Sequence, residues 1–259
     1  MLIDSSQNSK QSIIFIQNIQ VMKKANYGID APGVIRNLIL VSATGFLLPL
    51  FFPLIKIGQV NINTSGFLWM GISCGLMALW MLLYSVYGKL KHRDRILNMI
   101  NWKGSEMVLD VGTGRGLMAI GAAKRLNTGK STGIDIWNME DLTKNKITNT
   151  INNAAIEGVK DKVEIKNDNA ISMSFPDDSF DIVISNLCLH NIYNIEDRKK
   201  ACNEISRVLK KGGVGIISDF KHIKEYRNNF VQLGLKTIIL PASYFTTFPP
   251  LPILKIIKI

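Results

Sequence analysis

No Asp, Glu, Lys, Arg or His occurs between Ile57 and Gly88. Within that stretch residues 67–87 read FLWMGISCGLMALWMLLYSVY, which as a helix would extend about 31 Å and cross a hydrocarbon core of about 30 Å. A second charge-free run, residues 38–55 (LILVSATGFLLPLFFPLI), precedes it and would extend about 27 Å. Pro49 and Pro53 would kink that run, which membrane helices tolerate better than soluble ones. Trp69, Trp80, Tyr84 and Tyr87 suit a membrane–water interface. Gly71 and Gly75 form a GxxxG pair that lets helices approach closely. The expectation is a transmembrane hairpin over residues 37–88, with spans at about 38–55 and 67–87, through which a second copy could also pair. The second run is too long and too evenly apolar for the core of a soluble domain. A cleaved signal peptide does not fit either, because the first 30 residues are polar and the apolar run starts late.

Charge supports a membrane and orients it. The 259 residues hold 31 Lys/Arg against 20 Asp/Glu, a net charge of +11. Residues 1–95 hold nine basic and three acidic residues, residues 96–219 sixteen of each, and residues 220–259 six basic residues and Glu225 alone. The surplus therefore sits at the two ends, one beside apolar sequence, which favours a membrane surface over nucleic acid. No RNP, zinc-finger or basic-helix motif is present. Lys23, Lys24 and Arg36 precede the first run, Lys89, Lys91, Arg93 and Arg95 follow the second, and the loop 56–66 has only Lys56. The positive-inside rule then puts the N-terminal segment 1–36 and everything after residue 96 in the cytoplasm. Cys74, Cys188 and Cys202 are too scattered for a disulfide framework or a metal pair, and no metal site is expected.

From Glu106 the pattern changes to short apolar strands alternating with helices: MVLDVG, STGIDIW, KVEIKN, FDIVISN and GGVGIISDF, with helical spacing at 116–126, 142–155 and 198–209. LKTIIL and ILKIIKI close the chain as two further β-rich runs. Such alternation implies an α/β fold with a mostly parallel, Rossmann-like sheet, whose ligands bind beyond the carboxyl ends of the strands. The first strand runs into Asp110-Val111-Gly112-Thr113-Gly114-Arg115-Gly116, a turn that lets a ligand approach the backbone. A P-loop is excluded, because no GK[ST] follows. The dinucleotide pattern GxGxxG is off by one place, and Asp110 would repel a pyrophosphate but could accept from a cationic amine. Asp135 ends the second strand, where a carboxylate can take both hydroxyls of a ribose.

Four blocks, VLDVGTGRG, GIDIW, NAISMSFPDDSFDIVISNLCLHNI and RVLKKGGVGIISDF, occur in that order over about residues 100–220. In them the chain resembles the class I S-adenosylmethionine-dependent methyltransferases, and in the third it looks most like their ubiquinone/menaquinone and sterol branch. The resemblance implies a seven-stranded sheet with a reversed last strand over residues 96–259, with 235–240 and 252–258 as the sixth and seventh strands. It implies S-adenosyl-L-methionine as cofactor. Asp110 would hold the methionine amine, directly or through water, with Gly112, Thr113, Gly114 and Gly116 in the turn beneath it. Asp135 would hold the ribose and Ile136 lie beside the adenine. Asp168 and its neighbour Asn169 compete for the adenine amine, with Ala170 following, and Asn186 would lie near the reactive methyl. Lys211 and Ser174 replace prolines usual in the family, and Asn191 stands where relatives often have a second histidine.

For an acceptor that must lose a proton, His190 is the first candidate base, then Tyr193 and Asp219. His92 reads as an interface residue in a basic run, and His222 shows no clear partner. The turn-rich stretch 27–33 suits either a cap over the site or a loop feeding the first span. The closing run with Lys255 and Lys258 suits either anionic headgroups or an ordinary strand with solvated lysines. The function expected is methyl transfer to a lipid or lipophilic small molecule at a membrane. The competing readings are an NAD(P)-dependent membrane oxidoreductase and a non-catalytic membrane scaffold with an adenosyl pocket.

Overall fold

A computed structural model describes residues 24–138, 142 and 145–259. Most of the expected N-terminal cytoplasmic segment, residues 1–23, lies outside the described residues. Helix α1 is Pro32–Phe51. It starts six residues before the apolar run, because Pro32 at its first turn has no N–H to leave unpaired. It also ends earlier than Ile55. Phe52 leaves the helix at φ −135°, and Leu54–Ile57 (β1) pairs antiparallel with Val60–Asn63 (β2). The two-residue turn Gly58-Gln59, with Gly58 at φ +61°, suits a tight hairpin.

Helix α2 is continuous from Phe67 to Leu97, with one wide turn at Tyr84–Gly88. It runs ten residues past the expected end at Tyr87, because His92, Ile96 and Leu97 are buried on one face against the sheet. His92 is therefore not an interface residue: its Nε2 lies 2.7 Å from Ser218 Oγ. Both helices are long and apolar enough to cross a membrane by length and composition, with only 17% and 22% of their apolar windows buried.

The two helices meet through small residues. A Cβ on Gly45 would lie 2.6 Å from Gly71 Cα, and one on Gly75 would lie 2.9 Å from Ser42 Oγ. Ser42 Oγ donates to Gly71 O at 2.7 Å. The Gly71/Gly75 face expected to serve a second copy is thus covered within the hairpin. Gly45→Leu is expected to force the helices apart at a cost of about 3 kcal/mol. A lower melting temperature in detergent checks this, and an unchanged one contradicts the packing.

The remaining strands are Met107–Val111 (β3), Lys130–Asp135 (β4), Val163–Asn167 (β5), Phe180–Asn186 (β6), Leu209–Ser218 (β7), Lys236–Leu240 (β8) and Ile253–Ile257 (β9). They form one seven-stranded sheet in the order β5-β4-β3-β6-β7-β9-β8. β9 runs antiparallel to both neighbours and the other pairs are parallel. Alternate residues face opposite sides, as a strand's period of two requires. Leu109, Val183, Ile217 and Leu254 pack toward α5 (Ile195–Val208) and α6 (Ile223–Gln232). Val108, Ile182, Ile216 and Ile253 pack toward the end of α2 and α3 (Leu117–Ala123).

Three other expectations shift. Helix α4 is Ile147–Ile156 and not 142–155, since Leu142 instead forms a bridge with Asp30. Helix α6 went unread. The closing lysines meet their own protein: Lys255 Nζ donates to Met99 O at 3.1 Å, and Lys258 Nζ to Leu209 O at 2.7 Å and Asp178 Oδ1 at 2.9 Å. That strand lies inside the sheet and has no face to offer headgroups. Burial pushes the Cys202 thiol up to about 12, which leaves it inert as a nucleophile.

Candidate active site

The turn after β3 is shaped by close approach. Gly112 (φ +76°) lies so near Cys188 that a Cβ would fall 2.3 Å from its Sγ. Gly116 (φ +85°) starts α3 with no room for a Cβ beside Ile120 and Thr150. Asp110 is buried beneath the turn. Its Oδ2 accepts from Thr113 Oγ1 at 2.8 Å and from the Ala119 N–H at 2.9 Å. Asp110 therefore braces the loop, and neither it nor Gly116 reaches the cavity described below, whereas Gly112, Thr113 and Gly114 do.

Burial pushes the Asp110 carboxyl up to about 7. Its value in the unfolded chain is about 3.9. The raised group favours the fold below that pH, and the contribution is lost as pH rises through about 7. The melting-temperature gap between Asp110→Asn and the unaltered chain is expected to move in favour of Asp110→Asn from about pH 4 to about pH 8. A constant gap contradicts this.

Asp135 ends β4 beside the turn. Its Oδ2 accepts from Gly114 N at 2.8 Å, and its Oδ1 from Trp137 N at 2.7 Å and Asn145 Nδ2 at 3.3 Å. A carboxylate offers about four lone-pair sites, so it can still accept from a ligand hydroxyl. Past β5, Asp168 accepts from Asn169 N, Ser174 N and Ser174 Oγ, and Asn169 Oδ1 accepts from Ile171 N. Asp168, Asn169, Ala170 and the largely exposed Ile136 line the same cavity. Both rivals for the adenine position therefore reach it.

That cavity measures about 730 Å³, within the size range of small-molecule sites. One end is the glycine turn with Asp135 and Asp168. The other is apolar and formed by α1 and α2, through Val34, Leu38, Met77 and Met81, with Phe248 closing the side. Sequence reading missed this second end. The side chains lie far from the motifs in sequence, and in the hairpin they read only as lipid-facing.

His190 also lines the cavity. Its Nδ1 is 2.9 Å from Asp219 Oδ1, although the ring N–H does not point along a hydrogen-bond line to it. The His190 backbone N–H donates to Asp219 Oδ2 at 3.1 Å, and Phe220 N donates to Oδ1 at 2.8 Å. The Phe220 ring packs edge-on to the imidazole, with centroids 4.6 Å apart. Asp219 is buried and does not line the cavity. It was a candidate base, and the structure places it behind His190, where it touches that residue and not the cavity. Tyr193 reaches the rim but is 92% exposed, too open to serve as a sheltered base. Asn186 lines the cavity beside Tyr84 and His92. His222, contrary to expectation, has a partner: its Nδ1 is 3.3 Å from Glu225 Oε2.

Residues 25–30 cross over the glycine turn as a strap. Asn153 holds it by accepting from Asn26 N at 2.9 Å and donating to Asn26 O at 3.0 Å and Arg115 O at 2.9 Å. Lys89, the first charge after the apolar run, is buried. Its Nζ donates to Tyr27 O at 3.0 Å, Gly28 O at 2.6 Å and Asp30 Oδ2 at 3.2 Å. The stretch is thus both cap and lead-in to α1. Lys89→Met would leave the Tyr27 and Gly28 carbonyls without this donor, at a cost of about 3 kcal/mol because Asp30 keeps Ser85 Oγ and can partly rehydrate. Hydrogen exchange at residues 25–30 is expected to rise about a hundredfold while the sheet keeps its protection. Unchanged exchange contradicts the role of Lys89.

Residues 109–217 match the family model described as a methyltransferase domain. The demethylmenaquinone methyltransferase of Lactobacillus johnsonii is 29% identical over 160 residues, 61% of this chain and 57% of that protein. The ubiquinone/menaquinone biosynthesis C-methyltransferase of Hydrogenovibrio crunogenus is 32% identical over 121 residues, 46% of this chain and 44% of that one. The chain thus spans about half the length of these two relatives. A solved S-adenosylmethionine-dependent methyltransferase from Aquifex aeolicus superposes with a TM-score of 0.53 at 18% identity, over 66% of this chain and 92% of that one. Residues 109–217 are therefore similar to a methyltransferase domain, and the sheet has the fold of a solved S-adenosylmethionine-dependent methyltransferase. The cavity fits that cofactor. The turn leaves backbone open at Gly112 and Gly114, and the carboxylates of Asp135 and Asp168 line the cavity with it.

Proposed function

We propose that the protein is a membrane-anchored S-adenosylmethionine-dependent methyltransferase whose acceptor is a lipophilic small molecule. The observation that carries this reading is the single cavity that runs from the glycine turn to a wall of membrane-type helix. Trp69, Trp80 and Tyr87, exposed on α2, suit the two interfaces. The excess of Lys and Arg outside the hairpin puts the sheet in the cytoplasm. The proposed division is an anchor up to about Gly88 and a catalytic unit over 96–259, joined without a linker by α2. Relatives named as menaquinone and ubiquinone/menaquinone methyltransferases support a lipophilic acceptor.

Bound there, the cofactor supplies a methyl group on a good leaving group. The chain aligns and shelters. Asp135 would hold the ribose, and Asp168 or Asn169 the adenine. Proximity of acceptor and methyl does most of the catalytic work. His190, with Nδ1 beside Asp219, turns Nε2 away from that carboxylate to take the acceptor's proton. Calorimetric titration with S-adenosylhomocysteine and, in parallel, NADH tests the cofactor half. Binding of the adenosyl ligand is expected. Binding of NADH alone would restore the oxidoreductase reading, and binding of neither would overturn both.

A further inference from the structure

Helices α1 and α2 approach closely where Ser42 and Gly45 face Gly71 and Gly75. Below that crossing, toward the strap, Ile35, Ala78 and Met81 pack in the seam between them. Val34 and Leu38 on α1 and Met77 and Met81 on α2 line the cavity along that seam as an apolar arm. Met77 lies ten residues inside Tyr87, so this arm reaches about 15 Å along α2, roughly half a hydrocarbon core. Val34 and Met77 keep 50% and 38% of their surface exposed, so the arm is not sealed. Val34, Leu38, Met77 and Met81 are all apolar, and Phe248 joins Met81 in walling the arm with hydrocarbon.

We infer that this arm is a subsite for the hydrocarbon tail of the acceptor, a single-chain amphiphile that enters sideways from the bilayer with its reacting head at His190. The inference rests on the proposed function. It adds the form of the acceptor and its route. The occupant is a tail continuous with the reacting head, because arm and reaction site are one cavity. A two-chained bulk lipid would have to leave its headgroup at the interface outside it.

The test uses the full chain in phosphatidylcholine–phosphatidylglycerol vesicles and a long-chain fatty alcohol with a diazirine near its tail end. Adducts are mapped by peptide mass spectrometry. Labelling is expected at Val34, Leu38, Met77 and Met81 in preference to Leu40 and Leu76, which face outward. Leu38→Trp and Met81→Trp, which fill the arm, should lower that labelling about tenfold while S-adenosylhomocysteine still binds. Leu40→Trp should leave it unchanged. Hexadecanol should displace the probe and butanol should not, which decides the matter even where a tryptophan variant fails to fold. Equal labelling by a diazirine carried on a phospholipid acyl chain, no preference for the arm, or indifference to both tryptophans and hexadecanol overturns the inference. Loss of S-adenosylhomocysteine binding in the unaltered chain would instead remove the proposed function, with the labelling pattern still judging the subsite.

Discussion

Asp135→Ala is expected to weaken S-adenosylhomocysteine binding about a hundredfold or more. A carboxylate that accepts one ligand hydroxyl contributes about 1.5–3 kcal/mol, and each 1.4 kcal/mol is a factor of ten. The substitution also frees the N–H groups of Gly114 and Trp137, which loosens the turn that lies under the ligand. Asp135→Asn separates the two effects. It keeps an oxygen for the turn but forfeits the charge, and should fall between the two chains. Calorimetry in detergent measures all three, with the melting temperature as control. An Asp135→Ala chain that binds as tightly as the unaltered one would remove Asp135 from the site.

His190→Ala is expected to slow methyl transfer by about 10²–10⁴-fold, the range of general acid–base catalysis, with cofactor affinity preserved. The residue lines the cavity that also holds the glycine turn and the apolar arm. Asp219→Asn leaves the imidazole in place but removes the charge 2.9 Å from its Nδ1. Turnover should drop, since the ring loses the partner that orients it. A merely structural Asp219 would lower stability and leave the rate of the folded chain where it was. Single-turnover rates at a temperature where both chains are folded distinguish the outcomes, and full activity in His190→Ala would mean that the acceptor needs no base from this chain.

Local patterns made the sheet legible. Apolar runs of strand length, the glycine turn and Asp135 at a strand end all signal within a few residues, and the reversed last strand came with the resemblance. The hairpin was legible from hydropathy, but its edges were not. Leu54 and Ile55 passed for membrane residues although Gly58-Gln59 is a ready hairpin turn, and they pair with Asn63 and Ile62. The run from Lys89 to Arg95 passed for an interface although His92, Ile96 and Leu97 share one helical face.

What stayed hidden is non-local. Lys89 meets Asp30 across 59 positions and His92 meets Ser218 across 126. No spacing rule joins such pairs. Asp110 was rightly marked as special, but the direction of its carboxylate depends on Thr113 and Ala119 folding back over it. Asp219 looked like a base because sequence gives residue type and not line of sight; its burial behind His190 settles what it can touch.

The central claim is that one cavity joins an S-adenosylmethionine site to a membrane hairpin. It is tested most directly by supplying methyl-labelled S-adenosylmethionine to the full chain in vesicles, once with the lipid extract of its host and once with the aqueous extract. The account predicts label in the organic phase, lost in His190→Ala. Label confined to water-soluble products would contradict it.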